Sequence, residues 1–307
     1  MKKILITGGM GFIGTNLTNQ LLSLGYHVIS IDNFFSSKRK IINHNNFTFI
    51  EHDVINKIPT IDCDFIFHLA CPASPKQYLK DTIYTLDVNY IGTKNVLDFA
   101  KNKKIPILFS STSEIYGDPL IPVQHEKYFG NVYPPSERSS YDEGKRVAET
   151  LVYNYHIKYD MSVQITRHFN TYGPYMDSED GRVISNFIIQ GLTDKKMTIY
   201  GDGSQTRSFC YIDDCVNALI KFLGNYKIYH GPINIGNTNE MRIIEIADFI
   251  SETLKIDKNY IFKDLPKNDP KIRKPDISKI NKIFNWKPKI DIKEGIVNTI
   301  NYFKETI

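Results

Sequence analysis

The chain has 307 residues, 41% of them hydrophobic, 12% aromatic and 23% charged, with a net charge of +4. This excludes a disordered chain, and the length predicts two lobes with enough apolar material for a sizeable core. So mild a charge gives no basis for nucleic-acid binding, no apolar run reaches the ~20 residues of a membrane span, and no signal peptide is apparent. A cytoplasmic protein is therefore expected, one without a membrane contact or an anchoring stem. Cys63, Cys71, Cys210 and Cys215 show no CxxC spacing and no His at ligand distance, so reduced, mostly buried thiols are expected and no metal site.

In chain order, apolar runs at Ile4–Ile6, Val28–Ile31, Phe47–Ile50, Phe65–Leu69, Ile107–Phe109 and Val163–Ile165 read as buried strands. Between them, residues 14–24, 82–100 and 141–159 repeat apolar positions at helical spacing. Alternating strands and helices with right-handed crossovers predict an α/β fold with one doubly wound parallel sheet. After Gly173-Pro174 the rhythm loosens. Clusters at 201–203 and 266–270, with Pro275 and Pro288, separate helices predicted at 183–190, 214–222, 243–254, 277–284 and 292–303. The expected division is a sheet lobe over 1–172, with 206–228 returning to it, and a smaller lobe made mainly of 173–307. Ligands of such sheets bind beyond the carboxyl ends of the strands.

The first strand runs into Thr7-Gly8-Gly9-Met10-Gly11-Phe12-Ile13-Gly14, a GxxGxxG turn opening a helix. Glycines there let the backbone approach a pyrophosphate, and the helix N-terminus offers it unpaired N–H groups. Asp32 ends the second strand, followed by Asn33 and Phe34. An acid at this point accepts from ribose hydroxyls and repels a 2′-phosphate, which favours NAD over NADP, although Lys38, Arg39 and Lys40 lie close enough in sequence to receive a phosphate. Asp53, beside Val54, is placed either to meet an adenine amino group or to cap a turn. Leu69, Ala70 and Ser110 follow or end later strands and belong to the same expected cofactor wall.

Tyr141 and Lys145 are four apart on one predicted helix face. An ammonium and an oxidised nicotinamide nearby would both favour the phenolate, making Tyr141 a base for an alcohol that loses hydride. Upstream, the fifth strand ends in Ser110-Ser111-Thr112-Ser113-Glu114. The glycine turn, the polar strand end and Tyr-x-x-x-Lys together resemble the extended short-chain dehydrogenase/reductase superfamily, over essentially the whole chain, as do Tyr211-Ile212-Asp213-Asp214 and Asn285-Trp286-Lys287-Pro288. Superfamily members that act on nucleotide sugars oxidise a sugar hydroxyl, perform chemistry on the ketone and return the hydride. Dehydratases carry Thr-Asp-Glu where this chain has Thr112-Ser113-Glu114, so the acid for a departing hydroxyl is missing. Carbon dioxide is a leaving group that needs no proton, and a C5 carboxylate is β to a C4 ketone.

Longer stretches sharpen the resemblance. His68-Leu69-Ala70-Cys71-Pro72-Ala73-Ser74-Pro75, the run from Ser111 to Pro119, Tyr141-Asp142-Glu143-Gly144-Lys145-Arg146, the run from Asp180 to Phe187, Gly203-Ser204-Gln205-Thr206-Arg207 and Arg273-Lys274-Pro275-Asp276 resemble the UDP-glucuronate decarboxylase family. The resemblance implies a Rossmann sheet for a tightly held, internally recycled NAD and a cap for the nucleotide sugar. It implies oxidation at C4 with Tyr141 as base, loss of CO2, then re-reduction to UDP-xylose. Lys145 would hold the nicotinamide ribose and lower the Tyr141 pKa. Thr112 and Ser113 would bond the sugar, and Glu114, or a water it orients, would protonate C5. Arg273 would approach the reacting ring or the phosphates. Asn170, Val183, Asn186, Tyr200, Gln205 and Arg207 would hold the nucleotide diphosphate, while Arg182 would serve the cofactor or a closing loop. A homodimer built on helices 82–100 and 141–159 is also implied, although Val96, Val147 and Leu151 there fit an ordinary core equally well. A 4,6-dehydratase, a 4-epimerase and a non-catalytic NAD-binding regulator are the alternatives on this scaffold. Tyr175, Asp87-Val88 and the setting of Arg138 depart from the family pattern.

Overall fold

The computed structural model describes residues 1–37, 41–265 and 273–307. Lys38, Arg39 and Lys40, and the Pro266–Pro270 cluster, lie outside the described residues. Among the described residues the six predicted strands are all present: β1 (Lys3–Thr7), β2 (His27–Asp32), β3 (Phe47–Glu51), β4 (Phe65–His68), β5 (Ile107–Thr112) and β6 (Val163–His168). A seventh, Pro232–Ile235, lies beyond the 206–228 stretch assigned to the sheet from sequence, and it pairs with the free edge of β6. The order is Pro232–Ile235, β6, β5, β4, β1, β2, β3, every pair parallel. The chain winds outward from β1 to β3, then returns to place β4 on the other side of β1. That reversal opens a crevice beyond the carboxyl ends of β1 and β4.

Apolar side chains alternate across the sheet because successive residues of a strand face opposite sides. Ile4, Ile6, Phe65 and Phe67 pack with Leu17 and Leu21 of helix Phe12–Ser23 and with Val216 and Leu219 of helix Ile212–Ile220. Leu5, Ile29 and Ile66 face the other way, onto Val96, Leu97, Ala148 and Val152. Covered on both faces, the strands read as continuous apolar runs rather than alternating ones.

The helix expected over 82–100 is present without a gap and changes its winding midway. It runs as Thr82–Asp87, a π-turn at Val88–Gly92, then Thr93–Lys103. The extra residue turns Asn89 inward, where its Nδ2 donates to the Thr85 carbonyl at 2.9 Å. Gly92 fits there because a Cβ would stand 2.8 Å from Val54 Cγ2. The later part of the chain holds helices Val183–Leu192, Ile243–Leu254, Ser278–Phe284 and Ile292–Thr306, and three two-stranded pairs lie beside the sheet, one of them using Thr171–Tyr172. No described helix is long and apolar enough to cross a membrane. The four thiols are unbridged, three of them buried and Cys71 half-buried.

Candidate active site

The crevice widens into a cleft of about 1020 Å³ between the sheet ends and the smaller lobe. Gly8, Gly11, Phe12, Ile13 and Gly14 form its floor on one side, with Asp32, Asn33, Asp53, Val54, Leu69, Ala70 and Ser110 along the strand ends. The glycine turn leaves no room for side chains. Gly8 has φ +73° and a Cβ on it would lie 2.8 Å from the Ala70 backbone, while one on Gly14 would lie 2.2 Å from the Gly8 carbonyl. The helix beginning at Phe12 has Gly11 as its N-cap, so no side chain competes for its first N–H groups. Such a cradle fits a dinucleotide pyrophosphate.

Asp32 binds the turn from the next strand. Its Oδ2 accepts from Met10 N at 3.0 Å, and its Oδ1 from Phe34 N at 2.8 Å and Ser37 Oγ at 3.1 Å. Burial raises its pKa against the pull of those donors. A carboxylate has about four acceptor positions, so room remains for a ribose hydroxyl. Asp53 is already engaged by Asn33 Nδ2 and the Tyr84 hydroxyl, both at 2.8 Å, and by Ile55 N. Its turn-organising role is therefore on display, whichever base group it also meets. Phe34 has a left-handed backbone at φ +58°, and its ring packs on Phe49, centroids 5.1 Å apart.

Helix Ser139–Tyr159 brings Tyr141 and Lys145 to the opposite wall, both buried. Tyr141 bonds the Thr112 side chain and stacks on Tyr78, ring centroids 5.1 Å apart and 8° from parallel. Lys145 donates to the Ser110 carbonyl at 2.8 Å. Burial pushes the Tyr141 phenol well up, with Cys71, Glu114 and Asp142 adding to the rise, while the bond to Thr112 pulls the other way and the Arg182 charge interacts with it. Burial also lowers the Lys145 ammonium, with Cys71 and Glu149 pushing back.

Thr112 closes β5 and accepts from Glu114 N at 3.2 Å, starting the tight turn Ser113–Tyr116 that aims Glu114 at the cleft. Glu114 Oε2 receives two guanidiniums, Arg138 and, at 2.6 Å, Arg273. Burial favours the neutral acid, but Arg273 and Arg138 outweigh it and hold the carboxyl below its usual range. So held, Glu114 is an ionised anchor rather than a proton donor.

Asn170, just beyond β6, and Val183, Asn186, Tyr200, Gln205, Arg207 and Arg273 from later in the chain line the same cleft. Asn186 donates to the Gly181 carbonyl and Gln205 to the Tyr200 carbonyl, fixing two side chains at the rim. Arg182 lies over the Phe12 ring, 5.6 Å from its centroid, and forms a two-pronged ion pair with Asp180. It thus stands between the glycine turn and the 177–182 loop. Arg138, Tyr78 and Cys71 line the cleft without having been chosen from sequence as site residues. The signal for Arg138 was its place three residues before Tyr141, one helical turn away. The Tyr78 hydroxyl and Ser74 Oγ are buried in the wall with no hydrogen-bond partner among the described residues.

A profile of the family described as GDP-mannose 4,6 dehydratase matches residues 5–299. UDP-glucuronic acid decarboxylase 1 of Arabidopsis thaliana is 45% identical over 309 residues, spanning 99% of this chain and 70% of the plant protein. Among solved structures, the UDP-glucose 4-epimerase of Thermotoga maritima, with UDP-glucose, superposes with a TM-score of 0.90 at 26% identity, covering 99% of each chain. The UDP-glucuronic acid 4-epimerase of Bacillus cereus, in complex with UDP-glucuronic acid and NAD, does so at 0.88 and 29% identity, covering 99% of this chain and 100% of that one. The chain is thus an enzyme of the extended short-chain dehydrogenase/reductase fold and belongs to the UDP-glucuronic acid decarboxylase family.

Proposed function

We propose that this enzyme converts UDP-glucuronate to UDP-xylose and CO2, with NAD held in the sheet lobe and the nucleotide sugar under the smaller lobe. The observation that carries the reading is Glu114 ionised between Arg138 and Arg273, beside Tyr141, in a Thr-Ser-Glu turn that lacks an acid for a departing hydroxyl. Two guanidiniums around one carboxylate leave a net positive charge to receive a sugar carboxylate. NAD, when bound over the glycine turn, supplies the hydride acceptor for C4 and then the hydride donor.

Tyr141 takes the proton of the C4 hydroxyl, with Thr112 steadying the phenol oxygen. Lys145, fixed by the Ser110 carbonyl, places a positive charge on the same helix face. Once C4 is a ketone, the electron pair of the C5–carboxylate bond moves into the enolate and CO2 leaves without needing a proton. Arg273 and Arg138 orient the carboxylate across that ketone, and a water aligned by Glu114 protonates C5. Asn170, Asn186, Gln205 and Arg207 hold the nucleotide diphosphate, with Val183 and Tyr200 packing on the base. Arg182 belongs to the closing loop over the cofactor, which fits tight retention.

Four unbridged thiols suit a reducing compartment such as the cytoplasm. A homodimer fits the helices 82–103 and 139–159, which expose Ile83, Tyr90, Tyr153 and Ile157. Val96 is core, whereas Val147 is 38% exposed and available to such an interface. The test of function is a parallel incubation with UDP-glucuronate and with UDP-glucose, each with catalytic NAD, read by nuclear magnetic resonance of the nucleotide sugars. A UDP-pentose from the first and no product from the second support the proposal. A 4-keto-6-deoxy sugar from UDP-glucose would replace it with dehydration.

A further inference from the structure

Asp142 follows Tyr141 in the Tyr-Asp-Glu-Gly-Lys-Arg run, and the mechanism above gives it no task. It is buried, 7% exposed, in the first turns of helix Ser139–Tyr159. Its backbone N–H bonds the Arg138 carbonyl at 3.1 Å, yet its Oδ1 has no hydrogen-bond partner among the described residues. An ionised carboxylate left this way is costly, whereas the neutral acid is tolerated. The charged groups that act on it come from three segments: Glu114 at the end of β5, Arg138 and Glu143 on its own helix, and Arg273 from the smaller lobe. Tyr78 faces the same group, its own hydroxyl unpartnered.

The charge of this cluster turns on Asp142. Glu114 with its ion-pair partners Arg138 and Arg273 amounts to one net positive charge, and Arg207 adds to it from the same cleft. An ionised Asp142 takes one unit of that positive charge away, and a protonated one preserves it. We propose that Asp142 is a positioning residue that senses the substrate carboxylate: it takes up a proton when a uronate enters the cluster and so keeps the arginines' positive charge for the sugar. The inference rests on the carboxylate-binding role given to Arg138 and Arg273 above. Burial, and then the Glu114 carboxylate, push the Asp142 acid up to about 7 against the two arginines. The sign follows. An incoming anion raises that value further, so UDP-glucuronate binds best below about pH 7 and progressively less well above it. At its steepest the linkage is about tenfold in affinity per pH unit. A neutral pentose carries no anion at this point, so UDP-xylose binds without that dependence.

Calorimetric titration of the NAD-loaded enzyme tests this, with UDP-glucuronate and UDP-xylose measured from about pH 6 to about pH 8.5. The expected result is weakening for UDP-glucuronate alone by several-fold or more across the upper half of the range, flattened in Asp142→Asn. The same slope in Asp142→Asn, or an equal slope for UDP-xylose in the wild type, overturns the proposal. Should Asp142→Asn not fold, wild-type titrations in buffers of different ionisation enthalpy count the proton directly. Uptake with UDP-glucuronate and none with UDP-xylose supports the inference, and no uptake with either refutes it. An enzyme that shows this linkage but releases no CO2 overturns the decarboxylase reading and leaves the role of Asp142 standing. One that decarboxylates without the linkage does the reverse.

Discussion

Glu149→Gln should both destabilise the protein and shift its catalysis. Glu149 lies one helical turn beyond Lys145 and clamps the catalytic helix to the sheet. Its Oε2 meets Arg167 Nη2 at 2.7 Å, and its Oε1 meets Arg167 Nε at 2.9 Å and Ser111 Oγ at 2.5 Å. The two side chains are only 9% and 12% exposed. Arg167 also donates to the Tyr116 hydroxyl at 2.9 Å, and that hydroxyl donates to Asn234 Oδ1, reaching the outermost strand of the sheet. Removing one partner of a buried pair costs about 3–5 kcal/mol because the other charge is stranded. Glutamine keeps the shape and one acceptor, so about 3 kcal/mol is expected, a fall in Tm of about 5 °C in thermal unfolding followed by circular dichroism. Replacing both partners by apolar groups, Glu149→Leu with Arg167→Met, should lose much less. Glu149 also helps keep the Lys145 ammonium charged. Without it, Lys145 loses its proton at lower pH, and the alkaline fall in turnover moves down. A Tm within about 1 °C of wild type together with an unmoved alkaline limb would refute the reasoning.

Three further outcomes are expected. Gly14→Ala drives a Cβ to 2.2 Å from the Gly8 carbonyl and should weaken NAD about ten- to a hundredfold in calorimetric titration, with the fold retained. Unchanged NAD affinity would place the pyrophosphate elsewhere. Tyr141→Phe should lower turnover by about a hundredfold or more while NAD still binds, as expected if the phenol oxygen is the base and the rest of the expected cofactor wall, Lys145 included, is kept. Arg273→Met leaves Glu114 with Arg138 alone and should weaken UDP-glucuronate about tenfold or more while sparing UDP-xylose, measured by competition binding.

Much of the fold is written in the local pattern. Each of the six predicted strands is a short apolar run, because a parallel sheet covered on both faces demands one, and the helices follow the 3.6-residue repeat. Pro232–Ile235 escaped because it is short, opens on a proline and has only Ile233 and Ile235 as apolar signal. Its place is set by the open edge of β6, a tertiary fact. The π-turn at Val88–Gly92 escaped for a similar reason: one extra residue leaves the apolar periodicity nearly intact, and only the packing of Gly92 against Val54 shows the need for it.

The site divides the same way. The glycine turn, Asp32 and the Tyr141–Lys145 pair were legible because backbone geometry and helical spacing dictate where they point. The ionisation of Glu114 was not, since it depends on Arg138 and Arg273 arriving from segments 24 and 159 residues away. Tyr78 stacked on Tyr141 is likewise a contact across the cleft that no local pattern announces.

The most direct measurement follows the carboxyl carbon. With UDP-glucuronate labelled at that carbon and NAD in catalytic amount, the account predicts that label leaves as CO2 in equal amount to UDP-xylose formed, with no net accumulation of reduced nicotinamide. Label retained in a UDP-hexuronate, with the C4 configuration changed or the sugar unaltered, would contradict it.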